Sequence, residues 1–235
     1  MTKILFVCHG NICRSPMAEF YMKDLCARAG LAEAFAIASA ATSAEEIGNG
    51  VYPPARRVLA GHGIDCAGKT ARRLRAEDYE AYDLLIGMDD YNLRNMRRLF
   101  GGDGEGKLRA LLDYAGRPGE SVADPWYTRD FETTWEDVSA GCRGLLAALT
   151  GARVLELGGC GTREDVYRAL RAGMDWQPRY GENLDAVWDV LTGEEPAETR
   201  YVVALPREDS AVRAYAERLR RVFAEAGKLI PEERE

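Results

Sequence analysis

The sequence predicts an α/β protein in two parts: a parallel four-stranded sheet flanked by helices over residues 1–150, and a small α/β unit over 152–235. Three observations carry this. Apolar runs of strand length alternate with runs of helical length, the pattern of a parallel sheet covered on both faces. The alternation restarts after Thr150-Gly151-Ala152, which is read as a very short linker. A chain of 235 residues is long enough for one large core or two small ones.

Taken in order, Lys3-Ile-Leu-Phe-Val7 reads as a buried first strand. Pro16 lies at the start of an apolar-periodic run to about Gly30, marking a helix with proline in its first turn. Residues 35–39 read as a second strand, and Pro53-Pro54 opens a helix that stops near Gly61. Residues 83–88 form a third strand, followed by a helix around 90–99, and 107–112 a fourth strand. A helix over 131–149 closes this part near Gly151. In the second part, Arg153-Val-Leu-Glu-Leu157 is a new first strand, and Thr162-Arg-Glu-Asp165 looks like a capping-box helix start. A helix around 183–191, a strand at 200–205 and a long amphipathic helix over 208–226 follow.

Composition narrows the function. With 46% hydrophobic and 29% charged residues the chain has the make-up of a soluble globular protein. A net charge of −7 argues against nucleic acid as a partner, because phosphate backbones call for basic surface, but it leaves room for a basic protein. Up to residue 151 there are 18 basic and 21 acidic residues (net −3), and beyond it 13 and 17 (net −4), so the smaller unit is the more acidic per residue. The start of the chain lacks a signal-like apolar segment, and no run approaches the ~20 apolar residues of a membrane span; a cytoplasmic protein with no membrane partner is expected. Six cysteines, at 8, 13, 26, 66, 142 and 160, show no Cys-x-x-Cys pairing and accompany only two histidines. That spacing favours neither a disulfide framework nor structural zinc, and the reading needs no metal or cofactor.

One loop carries chemistry. Cys8-His9-Gly10-Asn11-Ile12-Cys13-Arg14-Ser15 follows the first strand and opens the first helix. Such a loop turns successive N–H groups inward and adds the positive end of a helix, making a cradle for a tetrahedral oxyanion. Gly10 and Asn11 suit the backbone angles of a tight turn. In that field the thiolate is the favoured form of a cysteine. Arg14 offers a planar fork for two phosphate oxygens, and Ser15 a hydrogen bond to the sulfur. Cys8 is thus read as a nucleophile that attacks phosphorus and passes through a cysteinyl-phosphate. A leaving oxygen or nitrogen then requires a proton, and Asp124, stiffened by Pro125, is read as the general acid. Gly101-x4-Gly106-Lys107 imitates a nucleotide loop, but Leu108 stands where Ser or Thr is needed and a strand-like run follows, so no nucleotide site is read there.

Over about 1–149 these residues resemble the low-molecular-weight protein tyrosine phosphatases. The signature stands as Cys8 to Ser15, and a second family motif as Asp124-Pro125-Trp126-Tyr127, where Asp-Pro-Tyr-Tyr is more usual. Ser39-Ala40-Ala41-Thr42-Ser43, Pro54-Ala55-Arg56-Arg57 and Leu85-Ile86-Gly87-Met88-Asp89 also look alike. The resemblance implies hydrolysis of protein phosphotyrosine or a small aryl phosphate, with Ile12, Trp126 and Tyr127 walling the cleft. Relatives that act on phosphoarginine carry threonine at the position of Ile12, so Ile12 favours phosphotyrosine. Glu45-Glu46 stands where many relatives have an aromatic. Cys13 is a candidate for a reversible disulfide with Cys8. Arsenate reductases share the loop but need relay cysteines near residue 80, and none lies between Cys66 and Cys142.

Over about 152–228 the sequence is similar to barstar, the small inhibitor of an extracellular ribonuclease. Tyr180-Gly181, Asn183-Leu184-Asp185-Ala186, Trp188-Asp189 and Leu191-Thr192-Gly193 carry the likeness. Asn183 is a helix N-cap, Asp185 and Asp189 share a helical face four apart, and Leu184, Val187, Trp188 and Leu191 make an apolar stripe. The resemblance implies that Tyr180, Asn183, Asp185 and Asp189 face a basic ribonuclease or another protein, with Arg179 setting an opposing charge beside them. A last strand is weak, since only Lys228-Leu229-Ile230 follows the long helix. Two whole-chain readings result: a phosphatase with an appended binding module, or a binding protein whose acidic second unit matters most.

Overall fold

The computed structural model describes residues 1–174 and 180–230; Arg179 lies outside the described residues. The chain divides into two compact units, Met1–Asp24 with Glu33–Leu145, and Leu25–Ala32 with Leu146–Glu235.

In the first unit β1 (Thr2–Cys8) leads into α1 (Arg14–Arg28), then β2 (Phe35–Ala41), α2 (Pro53–Gly61), the short α3 (Asp78–Ala81), β3 (Leu84–Gly87) and α4 (Asp90–Phe100). β4 (Leu108–Ala110), a 3-10 turn over Leu111–Ala115, the one-turn α5 (Pro125–Thr128) and α6 (Phe131–Thr150) complete it. The four strands are parallel in the order β2-β1-β3-β4. Ile4, Leu5, Phe6 and Val7 have no exposed surface, so β1 is an unbroken apolar run, as a strand covered on both faces must be. β2 and β3 add to opposite sides of β1, placing a topological switch point at its C-terminal end, where open α/β sheets hold ligands. Leu5, Val7 and Leu85 of the sheet pack with Leu93 and Met96 of α4. Gly144 permits a close approach: a Cβ there would sit 1.8 Å from the Tyr114 carbonyl oxygen, so only glycine lets α6 lie against the 3-10 turn.

The second unit runs β5 (Arg153–Glu156), α7 (Arg163–Gly173), α8 (Leu184–Asp189) with a π-turn over Val190–Glu194, β6 (Tyr201–Ala204) and α9 (Arg213–Glu225). β5 and β6 are parallel. Tyr201 also bridges Leu229, with Tyr201 N donating to Lys228 O and Ile230 N to Tyr201 O, each at 2.7 Å. The weak last segment therefore pairs with β6 through a single bridge, and among the described residues the sheet stays two-stranded. Thr162 and Asp165 form the full reciprocal capping box. Tyr167, Leu170, Val187, Leu191, Tyr201 and Phe223 are among the core.

Three elements depart from the sequence reading. α9 begins at Arg213, not 208, because Ser210 turns the chain first, its hydroxyl donating to Cys160 O at 3.0 Å. The fourth strand ends at Ala110 and tightens into the 3-10 turn. Trp188 leaves the apolar stripe and is 40% exposed, while Val187, Val190 and Leu191 fill the core; the stripe turns with the π-turn, and position 188 falls at its edge.

Candidate active site

Cys8 is the last residue of β1 and its side chain is buried. Its Sγ accepts a hydrogen bond from Asn11 N at 3.2 Å and lies 3.1 Å from Ser15 Oγ; a thiolate there is the acceptor of both. Asn11 sits at φ +56°, a left-handed conformation that asparagine tolerates better than most residues. Its side chain fixes the loop from beneath. Nδ2 donates to Ser15 Oγ at 2.9 Å and Ser39 Oγ at 2.7 Å, and Oδ1 accepts from Arg72 N at 3.2 Å. Ser39 Oγ in turn donates to the buried Glu19 at 2.5 Å, and Lys69 Nζ stands 2.7 Å from that carboxylate. Burial pushes the Glu19 carboxyl up, but hydrogen bonds from Lys23, Lys69 and Ser39 outweigh it and hold it below the ordinary range.

Arg14 opens α1 and is buried. Nη1 donates to Asp89 Oδ2 at 2.6 Å, and Nη2 lies 2.6 Å from Asp124 Oδ2. Burial pulls the guanidinium down, yet the charges of Cys8, Asp124 and Asp89 leave it raised, so it stays cationic. Asp89 does two jobs: its other oxygen caps α4 by accepting from Asn92 N at 2.7 Å.

Asp124 is held by its flanks. Val122 N donates to Met88 O at 2.8 Å, Ala123 N to the Asp137 carboxylate at 2.9 Å, and Thr134 Oγ1 to Ala123 O at 2.9 Å. Asp124 Oδ1 accepts from Trp126 N at 3.0 Å and so caps α5, with Pro125 at the first helical position. One carboxylate thus faces both the backbone of its own turn and Arg14.

The remaining expected residues differ in burial and contacts. Ile12 is buried and its carbonyl accepts from Tyr52 N at 2.8 Å. Trp126 is tilted against Tyr52 with ring centroids 6.4 Å apart, and Arg129 lies over its ring at 5.6 Å. Tyr127 is 83% exposed. His9 is exposed, its Nε2 3.1 Å from Glu45 Oε2, and a Cβ on Gly10 would lie 3.1 Å from Glu46 Cγ; the Glu45-Glu46 pair therefore edges the loop. Burial first, then the charges of Cys8 and Asp124, push the Cys13 thiol up to about 12. His62 stacks on Trp135 with centroids 4.0 Å apart.

Sequence reasoning missed Asp89, Tyr52 and the Glu19–Ser39–Lys69 support. Asp89 had a signal, an acid directly after a strand that ends on the loop's side of the sheet. Glu19 and Lys69 had none, being fifty positions apart in sequence. Among the described residues, no group of three or more His, Cys, Asp or Glu is placed to hold a metal ion, and no helix is long and apolar enough to cross a membrane.

In the second unit Asn183 caps α8 by accepting from Ala186 N at 2.8 Å. Asp185, Trp188 and Asp189 are exposed on one face by their i, i+3, i+4 spacing. Tyr180 is half-buried and its hydroxyl is engaged by the Glu194 carboxylate.

A parallel sheet that delivers a cysteine into a loop opening a helix is the arrangement of a protein that binds a tetrahedral oxyanion such as phosphate. Residues 3–154 match the family model of the low molecular weight phosphotyrosine protein phosphatases, and residues 151–235 match that of barstar, the barnase inhibitor. The chain belongs to the low molecular weight phosphotyrosine protein phosphatase family, with a barstar-like C-terminal part. It is 37% identical to the low molecular weight protein-tyrosine-phosphatase YfkJ of Bacillus subtilis over 63% of this chain and 96% of that protein. The crystal structure of YfkJ superposes with a TM-score of 0.62, covering 64% of this chain and 96% of that one. Identity to the human low molecular weight phosphotyrosine protein phosphatase is 35%, over 61% of this chain and 92% of the relative. The structure of a Drosophila arginine phosphatase is 26% identical, with a TM-score of 0.59, over 63% of this chain and 98% of its own.

Proposed function

We propose that residues 1–150 form a domain that hydrolyses protein phosphotyrosine or a small aryl phosphate through a cysteinyl-phosphate on Cys8. The carrying observation is the meeting of Cys8 Sγ with the Asn11 N–H and Ser15 Oγ, beside an Arg14 pinned between Asp89 and Asp124. Substrate phosphate oxygens take the inward N–H groups of residues 9–15 and the Arg14 fork, and in doing so release Asp124 from the guanidinium. The Cys8 thiolate attacks phosphorus in line with the leaving oxygen. The P–O bond breaks as Asp124 gives that oxygen a proton. Asp124, now a carboxylate, takes a proton from water as the water oxygen attacks phosphorus. The S–P bond breaks, inorganic phosphate leaves, and the thiolate returns to its two hydrogen bonds. Fixed N–H dipoles and Arg14 stabilise the charge that spreads over the equatorial oxygens. Ile12, Trp126 and Tyr127 supply the apolar and aromatic wall for the ring. Ile12 favours phosphotyrosine over phosphoarginine, and the absence of relay cysteines in the sequence between Cys66 and Cys142 sets arsenate reduction lower.

The test is metal-free p-nitrophenyl phosphate hydrolysis between about pH 5 and 8. Cys8→Ser is expected to abolish turnover, and Asp124→Ala to lower kcat by about 10²–10⁴-fold, the usual worth of a general acid. Unchanged turnover in Cys8→Ser would sink the mechanism.

A second reading concerns residues 152–235 as a domain. The exposed Asp185, Trp188 and Asp189 face, beside Asn183 and Tyr180, suits a basic protein, and the barstar match makes a ribonuclease the first partner to try. Inhibition of a basic extracellular ribonuclease by the full chain, weakened by Asp189→Ala, is expected. No inhibition at any achievable concentration would remove that partner.

A further inference from the structure

A second pocket of the first unit, of about 430 Å³, is lined by Thr42, Arg73, Leu74, Asn95, Arg98 and Leu99, none of them assigned above to the phosphate loop or the acid loop. Three pieces of chain build it. Thr42 follows the last residue of β2. Arg73 bridges Ala41 at the end of β2, and Leu74 N donates to Ala41 O at 2.8 Å. Asn95, Arg98 and Leu99 share one face of α4 by their i, i+3, i+4 spacing.

The charged side chains of this pocket, Arg73 and Arg98, are exposed to solvent, and Asn95 is half-buried. Thr42 Oγ1 is buried and makes no hydrogen bond. Among the described residues, the side chains of Arg73, Asn95 and Arg98 have neither ion pair nor hydrogen bond. Two guanidinium groups lining one cavity give it a positive field that favours an anion, and their forks match the oxygens of a phosphoryl group. A carboxylate would neutralise one of the two, a phosphate dianion both. The cavity is also larger than one phosphate fills, and its other walls are the apolar Leu74 and the 43% exposed Leu99.

We propose that this pocket binds the phosphoryl group of an organic phosphate monoester. Arg73 and Arg98 neutralise it, Asn95 donates to its oxygens, and Leu74 and Leu99 contact the organic body. The site is built on the elements that position the catalytic loop. Thr42 N donates to Cys8 O at 2.9 Å, and α4 carries at its N-terminus the Asp89 that holds Arg14. At 1.5 Å rise per residue the pocket face of α4 lies roughly 9–15 Å along the helix from Asp89. Binding there does not rest on the phosphatase reading.

The experiment titrates phenylphosphonate, whose carbon–phosphorus bond a phosphatase does not cleave, into the full chain with Cys8 alkylated by iodoacetamide, as verified by mass spectrometry. The amide blocks the phosphate loop without adding an anion, and loss of p-nitrophenyl phosphate turnover in the same sample reports separately on that loop. One equivalent of phenylphosphonate is expected to bind, at least tenfold more weakly in Arg73→Ala/Arg98→Ala and in Asn95→Asp. Circular dichroism and melting temperature verify that these variants fold. No binding in the alkylated wild type, or equal binding by both variants, overturns the proposal. The phosphoryl group can arrive free or on the peptide being dephosphorylated. In the second case the same variants also raise KM for a doubly phosphorylated peptide while leaving that of a singly phosphorylated one.

Discussion

Arg14 is the residue on which the site turns, and Asp89 is what holds it before substrate arrives. One Asp89 oxygen pairs with Arg14 at 2.6 Å and the other caps α4 at 2.7 Å. Asp89→Asn separates these roles, because asparagine is as good an N-cap as aspartate but brings no charge to the guanidinium. The melting temperature is expected to stay close to that of the wild type. kcat/KM for p-nitrophenyl phosphate is expected to fall about tenfold, the equivalent of ~1.4 kcal/mol in transition-state binding. A variant as active as the wild type would show that Asp124 and the loop orient Arg14 unaided. A variant that loses stability and activity together would mean that the Arg14–Asp89 pair holds the fold as well as the site.

At the scale of elements, a relay centred on the buried Glu19 joins α1 to β2 and to the segment before α3: Lys23 and Lys69 on Glu19, Glu19 on Ser39, Ser39 on Asn11. Because the folded state holds the Glu19 carboxyl below its ordinary range, this carboxylate contributes stability that is fully present above about pH 4.3, the unfolded value. That contribution is lost as pH falls through the depressed folded value. The melting temperature of Glu19→Gln is therefore expected to lie below that of wild type at neutral pH, with the gap closing in acid. A gap that stays constant down to about pH 3 would mean that packing, not ionisation, is what the substitution removes. None of this relay was legible in the sequence, whereas the elements it joins were. β1, α2, α4 and α6 were readable because an apolar run, a proline start or a helical period marks each locally. The loop was readable because strand, Cys8, Arg14 and helix are contiguous. α5 reads only as a turn, since four residues are too few to show a period, and Trp188 was misassigned because the π-turn after Asp189 rotates the stripe. Contacts across the fold, such as Asp89 to Arg14 or Lys69 to Glu19, leave no periodic trace.

At the scale of the whole molecule, the two units have hydrophobic cores of their own, and their proposed tasks use different chemistry: a buried thiolate in one, exposed carboxylates in the other. The Asp185→Ala/Asp189→Ala chain is accordingly expected to hydrolyse p-nitrophenyl phosphate with unchanged kcat and KM. A joint role predicts more. If the basic protein bound at α8 itself carries phosphotyrosine, tethering makes the second encounter intramolecular, at an effective concentration of ~mM for a short connection. KM for that protein then falls well below KM for its isolated phosphopeptide, while kcat, set at Cys8, stays the same. The advantage weakens as salt screens the carboxylates and disappears in the double variant. Equal KM values for protein and peptide at low and high salt would exclude recruitment, leaving the acidic face a task independent of the phosphatase.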